Sequence, residues 1–266
     1  MRGYTAFFKL RLITSLQYRT AALAGMTTQF FWGGMYLMIY AAFYANSSNV
    51  PISYNDLSTY IWLQQAFLTL IFFYMRDNDI AEMISSGGVA YELCRPYNLY
   101  IFWYIKLISQ RIAAAALRFS PVLLFSIFLP APYNLSAPAS LPAFILFLMT
   151  LFLGLGIVVA GNMLMTLVTM ITLEQSGVNA IFSTIWEFFS GNTIPIPLMP
   201  IFLQQIAFAL PCRLVADLPF RIYSGHIPIG EGLNGMIIQL IWLVVLIVVG
   251  LQLLKTIEKR LIVQGG

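Results

Sequence analysis

Six long apolar stretches divide this chain, and they leave it one class of fold. They run over roughly 21–45, 57–75, 99–129, 141–171, 177–194 and 233–254. A helix needs roughly 20 apolar residues to cross a hydrocarbon core about 30 Å thick, and each stretch is at or near that length. Inside lipid, every backbone N–H and C=O must find its partner within the chain, so such stretches are helices. The sequence therefore predicts an all-α integral membrane protein of six transmembrane helices, in one membrane domain over 1–266.

Composition agrees. The chain is 60% hydrophobic and 9% charged, with mean hydropathy +0.83, where a soluble domain carries about 25% charged residues. The net charge of +4 matters less than its placement. Arg2, Lys9, Arg11 and Arg19 precede the first stretch. Arg76, Arg95 and Lys106 surround the link between the second and third, and Lys255, Lys259 and Arg260 follow the last. The links at 46–56 and 130–140 hold no Lys or Arg. Positive residues stay in the cytoplasm, which places both termini and the 76–98 loop inside. Arg213 and Arg221, in the long link before the last stretch, go against this rule and are outnumbered.

The basic, apolar segment 2–19 suits a helix lying on the cytoplasmic surface, or a plain basic flank of the first span. The apolar run that follows is too long for a cleavable signal, with no small-residue cleavage site behind it. Cys94 and Cys212 fall on opposite sides of the membrane, which argues against a disulfide between them.

Several chemistries find no residues. No His, Cys and carboxylate cluster has metal-ligand spacing, no nucleophile elbow is present, and no Gly-Lys pair exists to build a phosphate-binding loop. The one histidine, His226, sits in turn-forming sequence before Pro228. No catalytic, cofactor or metal site is expected, and no nucleic-acid partner.

The most structured polar segment is the 76–98 loop. Asp79 and Glu82 have the character of a helix start, and Gly87-Gly88 is a natural stop. Between them Ile80, Met83 and Ile84 share a face at i, i+3, i+4. A helix of about two turns is marginal alone. It packs either on its own spans or, as a helix in a groove, on a cytoplasmic partner. The third stretch, near 31 residues, is longer than the membrane and should project into the cytoplasm near Lys106.

The outer link, 191–231, holds six of the chain's 13 prolines yet stays apolar. Short, proline-broken apolar segments fit a re-entrant structure that dips into the membrane and returns, or a helix on the outer leaflet. Within the spans, Arg118 and Glu187 lie at similar depth with opposite charge, which suits an ion pair or a place on a transport path. Arg111 shares a helix face with Arg118. Aromatic residues crowd the first and fifth spans. Most would pack or face lipid, while a few, among them Phe31, Tyr36, Phe182 and Trp186, are candidates to line a path for an amphipathic substrate. Gly154, Gly156, Ala160 and Gly161 offer a small-residue face for close helix packing.

In this order the features resemble a permease of the type-2 ABC exporter superfamily, in a bacterial branch with largely unassigned substrates. The resemblance rests on the N-terminal segment, the loop ending Leu93-Cys94-Arg95-Pro96-Tyr97, the span order, and the run from Phe188 through Ser190, Gly191, Pro195, Pro197 and Pro200, followed by Leu210-Pro211 and Pro219-Phe220-Arg221. It implies a bacterial inner-membrane protein that pairs with a second permease subunit, identical or related. Separate ABC ATPase subunits would dock below, and ATP and Mg²⁺ would belong to them. It makes 79–86 a coupling helix, with Ile80, Met83 and Ile84 entering an ATPase groove. The first, second and fifth spans would line a central path under an outer re-entrant gate. An ion-coupled carrier or channel is the alternative, although Glu187 is the single candidate membrane carboxylate and no internal repeat is visible.

Overall fold

The computed structural model describes residues 2–16, 19–47, 50–73, 77–172 and 174–259. Tyr74, Met75 and Arg76, where the expected second span ends and its loop begins, and Arg260 lie outside the described residues. All regular structure among the described residues is helical. Helix α1 (Arg2–Leu16) is followed by α2 (Arg19–Ala45), α3 (Tyr54–Ala66), α4 (Leu68–Ile71), α5 (Asn78–Ser85) and α6 (Val89–Leu93). Then come α7 (Leu99–Ile127), α8 (Leu141–Thr172), α9 (Gln175–Phe189), α10 (Ile201–Ala209), α11 (Asp217–Tyr223) and α12 (Ile229–Glu258).

Among the described residues three helices are long and apolar enough to cross a membrane: α7, α8 and α12, of 29, 32 and 30 residues. At about 1.5 Å per residue each reaches about 45 Å. A fourth candidate is the pair Ile201–Ala209 and Cys212–Tyr223, bent by 81°. Helix α2 has the length, but Thr27, Thr28, Gln29, Gly33 and Gly34 make it less apolar. The expected spans at 57–75 and 177–194 come out shorter. The first breaks at Phe67, whose φ of −102° and ψ of 16° separate α3 from the four-residue α4. The second stops at Phe189 after 15 residues.

Caps explain several boundaries. Ser53 Oγ accepts from Asp56 N–H (3.1 Å) at the start of α3, and Asn98 Oδ1 from Ile101 N–H (3.0 Å) at the start of α7. Glu174 turns the chain from α8 into α9 by accepting from the amides of Ser176 and Gly177. Each satisfies orphan amides of a first turn.

Helices α8 and α12 form the most extensive packed pair, with α11 against α8 and α1 along α7. The small residues of α8 serve four neighbours. Gly156 meets Leu243 of α12 and Tyr104 of α7, Gly161 meets Trp186 of α9, and Gly154 meets the backbone of Val215. A Cβ on Gly154 would stand 3.0 Å from Val215 O. The outer face of α12, with Ile237, Ile241, Val244 and Val248, is exposed, as a lipid-facing helix requires.

Candidate functional site

Three polar assemblies interrupt the apolar bundle. The first cradles α5. Its N-cap is Asp77, not the expected Asp79: Asp77 Oδ1 accepts from Ile80 N–H at 3.0 Å. The reason lies on α7. Lys106 Nζ donates to Asp77 Oδ1 and to Asp79 Oδ2, both at 2.8 Å, and Gln110 Nε2 donates to Asp77 Oδ2 at 2.7 Å. Lys106 and Asp77 have side chains only 2% and 3% exposed, while Asp79 is 63% exposed and also faces Arg11 of α1 at 3.7 Å. The Lys106 hydrogen bond, then its charge and that of Arg11, hold the Asp79 carboxyl below the ordinary carboxylate range. Helix α1 completes the cradle, packing Phe7 on Phe102 with ring centres 4.2 Å apart and the rings tilted by 31°.

Ile80 and Ile84 are buried against α7, α8 and α9. The apolar side expected to enter a partner's groove is therefore already covered at those two positions, because the two-turn helix packs on its own spans. Asp79 and Glu82 face outward and Met83 is half-buried.

The second assembly lies mid-bundle. The end of α4 at Ile71 leaves carbonyls without helical partners, and Arg111 of α7 supplies them. Its Nη1 donates to Thr69 O (3.2 Å) and Phe72 O (2.7 Å), and its Nη2 to Phe73 O (3.3 Å) and Asn162 Oδ1 (3.1 Å). Asn162 Nδ2 returns a bond to Phe73 O at 2.9 Å. The Phe73 N–H donates to Glu187, whose other oxygen accepts from Asn192 Nδ2 at 2.7 Å. Gln64 donates to Asn192 O, and Tyr60 Oη to Gly191 O at 3.2 Å. Gly191 holds φ +86°, and a Cβ there would stand 2.6 Å from Tyr60 Oη. Five helices thus converge on one hydrogen-bonded junction.

The expected ion pair of Arg118 with Glu187 is not among those formed by described residues. The Arg118 guanidinium lies against Gly25 of α2, where a Cβ would be 2.6 Å from Cζ. The arginine in the field of Glu187 is Arg111. Of the aromatic candidates, Phe31 is exposed and Tyr36 and Phe182 are half-buried. Trp186 is a core residue instead, 7% exposed and stacked on Phe73 at 4.5 Å.

The third assembly caps the opposite end. Ser190, Gly191 and the buried Pro195 lead into a 3₁₀ turn at Ile196–Leu198 that contains Pro197, and Pro200 starts α10. The chain then bends back through a 3₁₀ turn at Cys212–Leu214 into α11. Gln239 of α12 pins this turn, donating to Leu214 O at 2.7 Å and Thr150 O at 2.9 Å. Val215, Ala216 and Asp217 are fully buried. Asp217 lies 3.4 Å from Arg221 and 3.9 Å from Arg213.

Residues 11–264, nearly the whole chain, match the family described as ABC-2 family transporter protein. The chain belongs to the ABC-2 transporter family. It is a multi-pass membrane protein and a transport component rather than a catalyst. No curated protein matches it. Permeases of the ABC-2 family work with ABC ATPase subunits, which gives the charged outer face of α5 a context.

Sequence reasoning on this ABC-2 permease missed Asp77, Asn162, Asn192 and the roles of Lys106 and Arg111. Asn162 left a signal, being an amide in the middle of an apolar helix, where polar side chains are expensive and therefore used.

Proposed function

We propose that the chain is the permease subunit of an ATP-driven exporter in a bacterial inner membrane. It spans the bilayer six times, with α3–α4 as a broken second span and α9 as a short fifth. Both termini and α5 lie on the cytoplasmic side. Two permease chains, identical or related, enclose the substrate path between their first, second and fifth spans, with Phe31, Tyr36 and Phe182 toward it. Separate ABC ATPase subunits bind ATP and Mg²⁺, and this chain binds neither.

In this reading α5 is the coupling helix. Ile80 and Ile84 anchor it, while Asp79, Glu82 and Met83 meet the ATPase. The segment from Ser190 through Pro195, Pro197 and Pro200 to Tyr223 is the outer gate, a re-entrant structure whose irregular backbone is covered by protein. The observation that carries the reading is the α5 cradle, a two-turn helix that Lys106 ties to α7 through Asp77 and Asp79 and whose Glu82 and much of Asp79 stay exposed. A helix so short is held by its tertiary contacts, and a push on it passes directly to α7 and α1.

Affinity purification of the chain from native membranes should bring a soluble ATPase with it. Met83→Asp should reduce that association and the coupled ATP hydrolysis severalfold while membrane insertion stays normal. Unchanged hydrolysis in the variant would remove the coupling assignment. Transport that persists without ATP but collapses with the proton gradient would replace the exporter with an ion-coupled carrier.

A further inference from the structure

We propose that Arg213 is the headgroup site for an anionic phospholipid of the surrounding bilayer, whose acyl chain lies along α10. Arg213 is nine-tenths buried, yet it makes no hydrogen bond to any described residue. Its nearest carboxylate oxygen, Asp217 Oδ2, is 3.9 Å away and stands 3.4 Å from Arg221. The Nε atoms of both arginines are buried without a partner, as is Asp217 Oδ1, so an anion from outside would be met by the terminal nitrogens of Arg213, whose side chain is 10% exposed. Two guanidinium groups therefore share one carboxylate, and a net positive charge remains with unused donors. A guanidinium taken out of water needs a counter-anion, and its planar fork suits the oxygens of a phosphate.

Apolar surface continues from this charge. Phe208 of α10 lies over the Arg213 guanidinium, 3.9 Å from Cζ to the ring centre. Phe208 is 50% exposed, and Ile201, one face-repeat earlier on the same helix, is 75% exposed. Phe202 and Ile206 widen the strip. A headgroup anion at Arg213 with hydrocarbon over Phe208 and Ile201 satisfies both surfaces at once, which neither a free anion nor a neutral lipid does. The site is independent of the ATPase partner.

The test uses the full chain in a non-ionic detergent, with native mass spectrometry of added phosphatidylglycerol or phosphatidylcholine. Wild-type protein should retain phosphatidylglycerol preferentially, and Arg213→Gln should lower that preference about fivefold, the effect of one basic contact to an anionic headgroup. Arg213→Lys should retain part of it. Phe208→Ala changes an exposed residue and should weaken retention without altering the melting temperature, which keeps the proposal testable if Arg213→Gln is poorly folded. An unchanged preference in both Arg213→Gln and Phe208→Ala overturns it. So does inorganic phosphate that displaces the lipid at equal concentration, since the site would then recognise an anion alone.

Discussion

The middle of the bundle and the proline-broken segment before α12 each bury an arginine, and they use it in opposite ways. Arg111 is 1% exposed and makes four hydrogen bonds, three of them to carbonyls freed where α4 ends. Arg213 is 9% exposed and makes none among the described residues. Burial alone therefore says little about what a charge does in this protein. What separates the two is the terminal nitrogens, spent in Arg111 and unbonded in Arg213, since the Nε of each is buried without a partner. The α5 cradle belongs with the first kind, since Lys106 is spent on Asp77 and Asp79.

The sharpest way to break this contrast is to remove the spent charges. Arg111→Gln should destabilise the chain by about 3–5 kcal/mol, because it leaves several buried acceptors without donors. The variant should fail to elute as a single species after extraction, and a wild-type elution profile and melting temperature would end the contrast. Lys106→Met should be next, at about 3 kcal/mol, and local. Amide exchange across Asn78–Ser85 should rise by about two orders of magnitude while α8 and α12 stay protected. Gly191→Ala should lose about 1–2 kcal/mol from its left-handed backbone, plus the clash with Tyr60 Oη. In a double-mutant cycle Tyr60→Phe should recover the clash and not the backbone part.

On the other side of the comparison, Arg213→Gln should cost about 1–2 kcal/mol, well short of Arg111→Gln, because it removes no hydrogen bond and leaves Arg221 beside the buried Asp217. A loss equal to that of Arg111→Gln would show that Arg213 is architecture after all. The smallest effect concerns pH. The depressed Asp79 carboxyl contributes stability above its ordinary value near 4 and loses it as pH falls through the lower folded value. Protection of Asn78–Ser85, corrected for intrinsic exchange, should stay level from about pH 8 to about pH 5 and fall only below about pH 4. A decline starting near pH 6 would mean another group controls the tether.

What the sequence reveals here is what depends on neighbours along the chain. Three apolar stretches become α7, α8 and α12 within a few residues, because length and hydropathy are local quantities. The prolines that bend 201–223 by 81° are equally visible. The break at Phe67 is not, since no Pro or Gly marks it. Nor is the end of α4 at Ile71, whose free carbonyls take their donors from Arg111, far away in sequence. The choice of Asp77 over Asp79 as the cap has the same origin in Lys106. Counting depth along the spans paired Arg118 with Glu187, but depth carries no azimuth, and Glu187 turns toward Phe73 and Asn192.

The contact of Val215 with Gly154 fixes how the outer segment can move. Along that stripe of α8 the next positions are Leu151 on one side and Ile157 and Val158 on the other, all bulky and buried. A slide of one turn, about 5.4 Å, would drive the Val215 backbone into a side chain. The segment is indexed to one notch, like a key cut for a single ward. For the proposed gate, this favours a tilt about Gly154, with the helix α8 as its fulcrum, over a translation along it.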